Sequence, residues 1–433
     1  MASETTGMTP QMEMKARKMG ANGAESGHLY MQTNDVRNAI VHYHRSASGI
    51  LTEVERLLTG GAGSGTFKPI SGQESAPNSF EGAGSVILSP DRRFLFTTNG
   101  GDNSVSSFAV GDDGRLVLLD TKPTGNPVKG KSGTAKSLSY SAASSTLYIV
   151  HSFGPEHIRL MSVTKEGKLV LRPESYTANT QDKLDRVPTM SVVSPNGKFL
   201  LVGTTFDVAP ILVGANPDGT PILWIKDKYG KPMVIASNAP DPDGLVVFPI
   251  QDDGVLGRAS FQDAGGASPF FIVFLHNRPD TFVIGYAVGD GVSVGRLDDD
   301  GHIGMDTIVG IDTSAGKPAE LCWLSVSPDD RAVFATNFGY SNISTFHLNG
   351  AGLTVAKDPA CPKVPGDGTF RALCGDVSSG PSDNWVTPDG AYVYQIYGNA
   401  SKLVGYATSP DGSLREVTSV KIPYNSPQGL AGF

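Results

Sequence analysis

At 433 residues the chain is long enough for two or three ordinary domains, and its 52 glycines and 29 prolines supply turn punctuation for many short strands. A formal net charge of −8 argues against nucleic acid or an anionic membrane as partner. No apolar run reaches the ~18 residues needed to span a bilayer.

Residues 1–26 are polar and rich in Met, Gly and Ala, without the apolar stretch of a signal peptide. They read as a flexible tail on a cytoplasmic protein, unless a signal was removed before the first residue. A phrase then recurs with different spelling: "ILSPDRRFLFTTNGGDNSVSSFAVGDDGRL" (87–116), "SVSPDDRAVFATNFGYSNISTFHLNGAGL" (325–353) and "WVTPDGAYVYQIYGNASKLVGYATSPDGSL" (385–414). Each copy reads strand, tight turn, strand, Gly/Asn loop, strand, Asp-Gly turn, which is the pattern of a β-propeller blade. The repeats override the length prior, because each blade buries its faces only against its neighbours. A single all-β domain over 27–433 is expected.

In chain order, 27–51 supplies second and third strands with no first strand before them. Blades follow at 83–120 and 137–171, at 190–205 resuming at 244–257, then at 270–303, 319–356 and 383–417. The closing "SPQGLAGF" (426–433) is a lone strand that completes the first blade. The ring then has seven blades and no exposed sheet edge. The "SPDG" and "DDG" turns fall on one face of the ring. The longer connections 59–82, 121–136, 173–189, 206–243 and 357–382 fall on the other, where function is expected. Inside 206–243, "PILWIKDKYGKPMVIAS" (221–237) reads as a hairpin, either packed on the scaffold or covering the channel mouth as a lid. Residues 361–374 read as a second flap. Cys361 and Cys374 could pair across it, against the alternative that they and Cys322 are three free thiols in a reducing compartment.

The phrases "SPDRRFLFTTNGGDNSVSSF", "SPNGKFLLVGTT", "PAELCWLSVSPDDRAVFATNFGYSNISTF", "GPSDNWVTPDGAYVY" and "PQGLAGF" resemble the lactonase-type seven-bladed propellers. That family includes propeller phosphogluconolactonases and carboxymuconate cycloisomerases. The resemblance covers nearly all of 27–433, and it implies cofactor-free, metal-independent acid/base chemistry on a small polar molecule over the central channel. No stretch matches the family's catalytic motifs residue by residue, so its catalytic residues are not carried over. The insertions at 206–243 and 357–382 depart from the family pattern and point to a larger, more apolar substrate.

The starts of the first strands and the loops after the second strands should ring the pocket. They offer Glu81, Lys136, Thr189, Thr205, Trp224, Phe270, Trp323, Asn337, Phe338, Trp385 and Tyr397 as binding residues. Aromatic walls with few charges suit a partly apolar ligand. For Trp323 and Trp385 the competing reading is inter-blade core. His151 stands where sister copies carry Asn99 and Asn337, so it is a candidate acid/base; the bland alternative is that it bonds the loop as Asn does. Glu320 and Asp383, read as equivalent points on adjacent blades, could divide acid and base roles or tie one blade to the next. Arg186 could hold an oxyanion or cover the surface. His42 and His44 share a strand face but lack a third ligand, so no metal site is expected. There is no G-x-S-x-G elbow, H-E-x-x-H or paired C-x-x-C, and the acidic turns lack the spacing of a calcium loop.

The first functional expectation is an enzyme, a monomer, that hydrolyses or isomerises a small cyclic organic substrate by acid/base catalysis. The alternatives are a cyclase, or pericyclase, of a hydrophobic secondary metabolite working by pocket shape, and a non-enzymatic binding platform.

Overall fold

The turn phrase dictates its own geometry. In a computed structural model of the chain, Ser89 Oγ donates to Asp91 Oδ1 at 2.6 Å, and the same oxygen accepts the Arg93 N–H at 3.2 Å. Ser327 with Asp329, Ser194 with Asn196 and Thr387 with Asp389 repeat the arrangement. These side-chain bonds satisfy backbone donors that the tight turn leaves open, so the motif is structural. The structure describes residues 25–65, 83–126, 135–184, 186–206, 211–215, 221–226, 232–234, 243–313, 318–350, 352–372 and 374–433, and within 206–242 the strand backbone alone.

The strands form seven radial antiparallel blades. From the channel outward, blade 2 is Val86–Leu88, Phe94–Asn99, Ser104–Val110 and Leu116–Pro123, and blade 3 is Ala135–Ser141, Thr146–His151, Ile158–Val163 and Leu169–Tyr176. Blade 4 is Val187–Val193, Phe199–Phe206, Leu245–Pro249 and Ser260–Gln262. Blade 5 is Pro269–Phe274, Thr281–Tyr286, Gly291–Leu297 and Ile303–Met305, with Val309–Gly310 also pairing its third strand. Blade 6 is Leu321–Val326, Ala332–Asn337, Asn342–Asn349 and Gly352–Lys357, and blade 7 is Pro381–Val386, Tyr392–Tyr397, Lys402–Thr408 and Leu414–Lys421. Blade 1 takes Gly27–Gln32, Ala39–Arg45 and Leu51–Leu58 from the N-terminal side and its inner strand, Gln428–Gly432, from the C-terminal side. The ring is closed by its last strand, as the sequence predicts.

Burial follows from stacking blade on blade. Second strands such as Phe94–Asn99 and Tyr392–Tyr397 are buried along their whole length, because neighbours cover both faces. Outer strands such as Leu51–Leu58 are largely exposed. The core is therefore a series of inter-blade clusters.

The blade 4 insertion forms the expected hairpin, with Trp224 opposite Val234 and Lys226 opposite Pro232. A strand not predicted, Ile211–Ala215, pairs along its other edge and makes a three-stranded sheet. The remainder of the expected lid, including the Trp224 side chain, lies outside the described residues. Cys361 and Cys374 form no disulfide: all three cysteines are free and buried. Among the described residues no helix is long and apolar enough to cross a membrane.

Candidate functional site on the loop face of the channel

The inner strands of blades 5, 6 and 7 begin after a residue in the left-handed region. These are Ser268 at φ 56°, Glu320 at φ 52° and Gly380 at φ 61°. They are equivalent by register, since the next residues, Pro269, Leu321 and Pro381, pair with Tyr286, Asn337 and Tyr397 at the ends of the second strands. Glycine takes this conformation freely, whereas another L-residue pays about 1 kcal/mol. Blade 6 nonetheless places a buried glutamate there.

Facing it is Asp290, itself left-handed at φ 48°, in the loop after the second strand of blade 5. Its Oδ1 accepts the Ala319 N–H at 2.9 Å and the Glu320 N–H at 3.0 Å. Burial pushes the partly exposed Asp290 carboxyl up to about 7, against the opposing pull of the Glu320, Ala319 and Leu321 amides. Glu320 lies against Gly339, where an added Cβ would sit 3.1 Å from Oε2. Burial first, and the Glu320 charge second, raise the Cys374 thiol to about 12. Partly exposed Tyr340 is also raised to about 12, by burial and then by Cys374 and Asp290. Two carboxyls, a phenol and a thiol thus share one locus between blades 5 and 6.

Beneath it runs a buried aromatic chain. Phe270 meets Trp323 edge-on at 4.8 Å, Trp323 lies 6.1 Å from Phe338, and Phe338 meets Phe370 edge-on at 5.5 Å. With Ala83, Met190 and Cys322 these rings form one core cluster, so they support the site rather than wall an open pocket. The Trp323 Nε1–H finds no acceptor among the described residues.

Asp383 is not the equivalent of Glu320. Leu324 pairs with Ala335 and Asn384 with Gln395, which aligns Asp383 with Trp323 and Glu320 with Gly380. Asp383 Oδ2 accepts the Gly429 N–H at 2.9 Å, and the Gly84 amide also bonds this carboxylate. Burial raises its carboxyl to about 6. The segment at Ala83 and Gly84 also bonds blade 4 through Thr189 O and blade 3 through the Leu138 N–H. Asp383 therefore anchors a segment that ties together inner strands of several blades.

The His151 imidazole is enclosed. Its Nδ1 lies 3.1 Å from the His157 carbonyl, which can only accept, so Nδ1 carries the proton; Nε2, 2.9 Å from Thr124 Oγ1, then accepts from that hydroxyl. In blade 2, Asn99 Oδ1 accepts from Thr59 at the matching point of the preceding link, at 2.7 Å, and its Nδ2 donates to Ser104 and Ser106. Asn337 makes the corresponding donations to Asn342 and Ser344. His151 does the same fastening work, and burial pulls its pKa down to about 4.

The other predicted residues are placed as follows. Arg186 is buried, bonded to Thr204 Oγ1, and its carbonyl accepts from His157 Nε2 at 3.0 Å. Lys136 is buried at the start of the inner strand of blade 3. Thr189 bonds the Gly203 and Pro269 carbonyls, and the Thr205 carbonyl accepts from Ser268. Trp385 stacks on Tyr394 and presses against Gly432 of the closing strand, so it is a seam between blades rather than a pocket wall. Tyr397 is core, with its hydroxyl 2.9 Å from that of Tyr406. Glu81 lies outside the described residues. Sequence reasoning missed Asp290, Tyr340 and Cys374; the available signal was the Gly-Asp-Gly string at 289–291 in a loop on the long-connection face. It also passed over a string of P-loop spelling, 125–132. Most of that string lies outside the described residues; the next described element is the strand Ala135–Ser141, whereas a phosphate-binding P-loop leads into a helix.

No protein-family model matches the chain, and no curated protein matches it in sequence. Solved structures do. A periplasmic gluconolactonase from Pseudomonas aeruginosa superposes with a TM-score of 0.65 at 17% identity, covering 94% of this chain and 99% of that one. Proteins assigned as 6-phosphogluconolactonases from Bacteroides uniformis (TM-score 0.61, 16% identity) and Bacteroides fragilis (0.60, 15%) each cover 94% of this chain, and 99% and 98% of their own. At these identities the likeness is one of fold, and the fold is the seven-bladed propeller that the repeated phrases predict.

Proposed function

We propose that the chain is a lactonase-type hydrolase that opens a small cyclic ester on the loop face, with Asp290 as its acid/base group beside the buried carboxylate of Glu320. The observation that carries this reading is the residue held at position 320. A buried carboxylate occupies a left-handed position that blade 7 fills with Gly380, and its own N–H is clamped by a second, partly exposed carboxylate. Strain of this kind is retained where the side chain is needed. The Asp290 carboxyl, balanced between its two forms near neutrality, can take a proton from a water attacking the lactone carbonyl. It can return that proton to the ring oxygen as the acyl C–O bond breaks, giving the hydroxy acid. Tyr340, protonated throughout this range, is the donor proposed for the developing oxyanion.

The test is hydrolysis of a panel of sugar and aryl lactones by the wild type and by Asp290→Asn. The variant should lose about 10²-fold or more in kcat/KM. The wild-type kcat/KM should rise with pH through an apparent pKa near 7. A variant within twofold of wild type on the lactones that are turned over would overturn the assignment.

A further inference from the structure

We propose that the opposite, turn face of the ring carries a second site, which binds a small oxyanion, a phosphate or carboxylate group on a compact organic body, where blades 7, 1 and 2 meet. A cavity of about 320 Å³ opens there, lined by Ser26, Arg45, Arg92, Pro388 and Phe433 and by the acidic Glu25 and Asp389. This volume is at the small end of ligand pockets.

Arg45, the last residue of the third strand of blade 1, is only 1% exposed. A guanidinium so buried is ordinarily paired with a carboxylate. Among the described residues it has no ion pair: Nη1 donates to the Glu25 carbonyl, and Nε has no acceptor. The room it occupies exists because residue 27 is glycine, where a Cβ would stand 2.8 Å from Nη2 and closer still to the Phe433 carbonyl.

Arg92 supplies an independent observation. It holds the left-handed position of the Ser-Pro-Asp turn at φ 60°, where the sister turns place Gly197, Gly390 and Asp330. Asp330 has a structural reason to be there, since its carboxylate accepts the His276 and Asn277 N–H groups at 2.8 and 2.7 Å. Arg92 instead lays its guanidinium over the Phe433 ring, 5.2 Å from the centroid, on the cavity wall. Burial raises the Asp389 carboxyl, but hydrogen bonds and, after them, the Arg45 charge bring it below its ordinary value; it makes no ion pair with either arginine among the described residues. Its Oδ1 accepts from Thr387 and Ala391, as the Asp does in each such turn, and its Oδ2 accepts the Glu25 N–H at 2.9 Å. Two guanidiniums beside one aromatic ring and a proline match an oxyanion with a small apolar body.

The full chain is titrated calorimetrically at low salt with inorganic phosphate and with phenyl phosphate. Saturable one-to-one binding is expected, tighter for phenyl phosphate, and weakened about 10-fold or more in Arg92→Gly. That variant installs the residue of two sister turns, so its melting temperature should hold. Asp290→Asn, at the other end of the channel, should bind as wild type does. No saturable binding of either probe up to about 10 mM, binding undiminished in Arg92→Gly, or binding lost in Asp290→Asn would each overturn the proposal.

Discussion

His151→Asn replaces a titrating blade fastener with the amide that blades 2 and 6 carry at the same point, so it isolates the cost of burying an imidazole. In the folded chain the His151 pKa is about 4, pulled down by burial, while in the unfolded chain it returns to about 6.5. Between those values the unfolded state binds the extra proton, so stability is complete above about pH 7 and is lost as pH falls. Linkage puts the loss from this one residue at about 2 kcal/mol between pH 7.5 and 5, approaching about 3 kcal/mol below pH 4. Asparagine can accept from Thr124 and donate to the His157 carbonyl, but it leaves a small void, so the variant should start about 1–2 kcal/mol less stable at pH 7.5. By pH 5 the two proteins should be about equal, or their order reversed. Urea unfolding followed by tryptophan fluorescence at both pH values measures the difference. Histidines remote from this point, such as His28, whose pKa burial also lowers to about 4, are common to both proteins and cancel. A wild-type-minus-variant difference constant to within about 0.5 kcal/mol across this range would refute the enclosed, neutral imidazole.

Asp383 should show the opposite slope. Its folded pKa of about 6 lies above its unfolded value, so folding loses about 2 kcal/mol as pH rises from 4.5 to 7. In Asp383→Asn that loss should vanish, and parallel melting curves for both proteins would count against the burial argument. Glu320→Gly relieves the left-handed strain but frees the unfolded chain and removes a buried side chain, so it should lose about 1–3 kcal/mol of stability and still fold. Lactone turnover should nonetheless collapse, and a variant that keeps its activity would remove Glu320 from the chemistry. Native protein should resist a thiol reagent, and denatured, unreduced protein should yield all three thiols. A yield of one would reveal a disulfide.

What could be read in the sequence was whatever local chemistry decides. The Ser-Pro-Asp turn is built from contacts within five residues, so its copies located the strands, and the lone closing strand followed from counting. The strand Ile211–Ala215 was missed although its apolar run ends in an Asn-Pro-Asp-Gly turn string, because the hairpin beside it already accounted for the apolar residues of the insertion. Positions across blades were harder. Trp323 and Trp385 look like one repeated tryptophan, but register sets Trp385 two residues further along its strand, about 7 Å nearer the turn face. The same misalignment paired Glu320 with Asp383, although the residue that shares the Glu320 position is Gly380. That mismatch became visible only through backbone conformation, since an alignment of letters cannot show that Ser268, Glu320 and Gly380 share a left-handed turn. Asp290 illustrates the remaining limit. Its letter is one acidic residue in a chain with 43, and its perturbed carboxyl arises from the start of the next blade closing over it, roughly thirty residues away. A blade's second-to-third loop meets the next blade's inner strand wherever the ring stacks, so any acidic residue in such a loop can acquire this environment. Finding one from sequence requires the ring to be assembled first, with its registers correct, and the charges to be read afterwards.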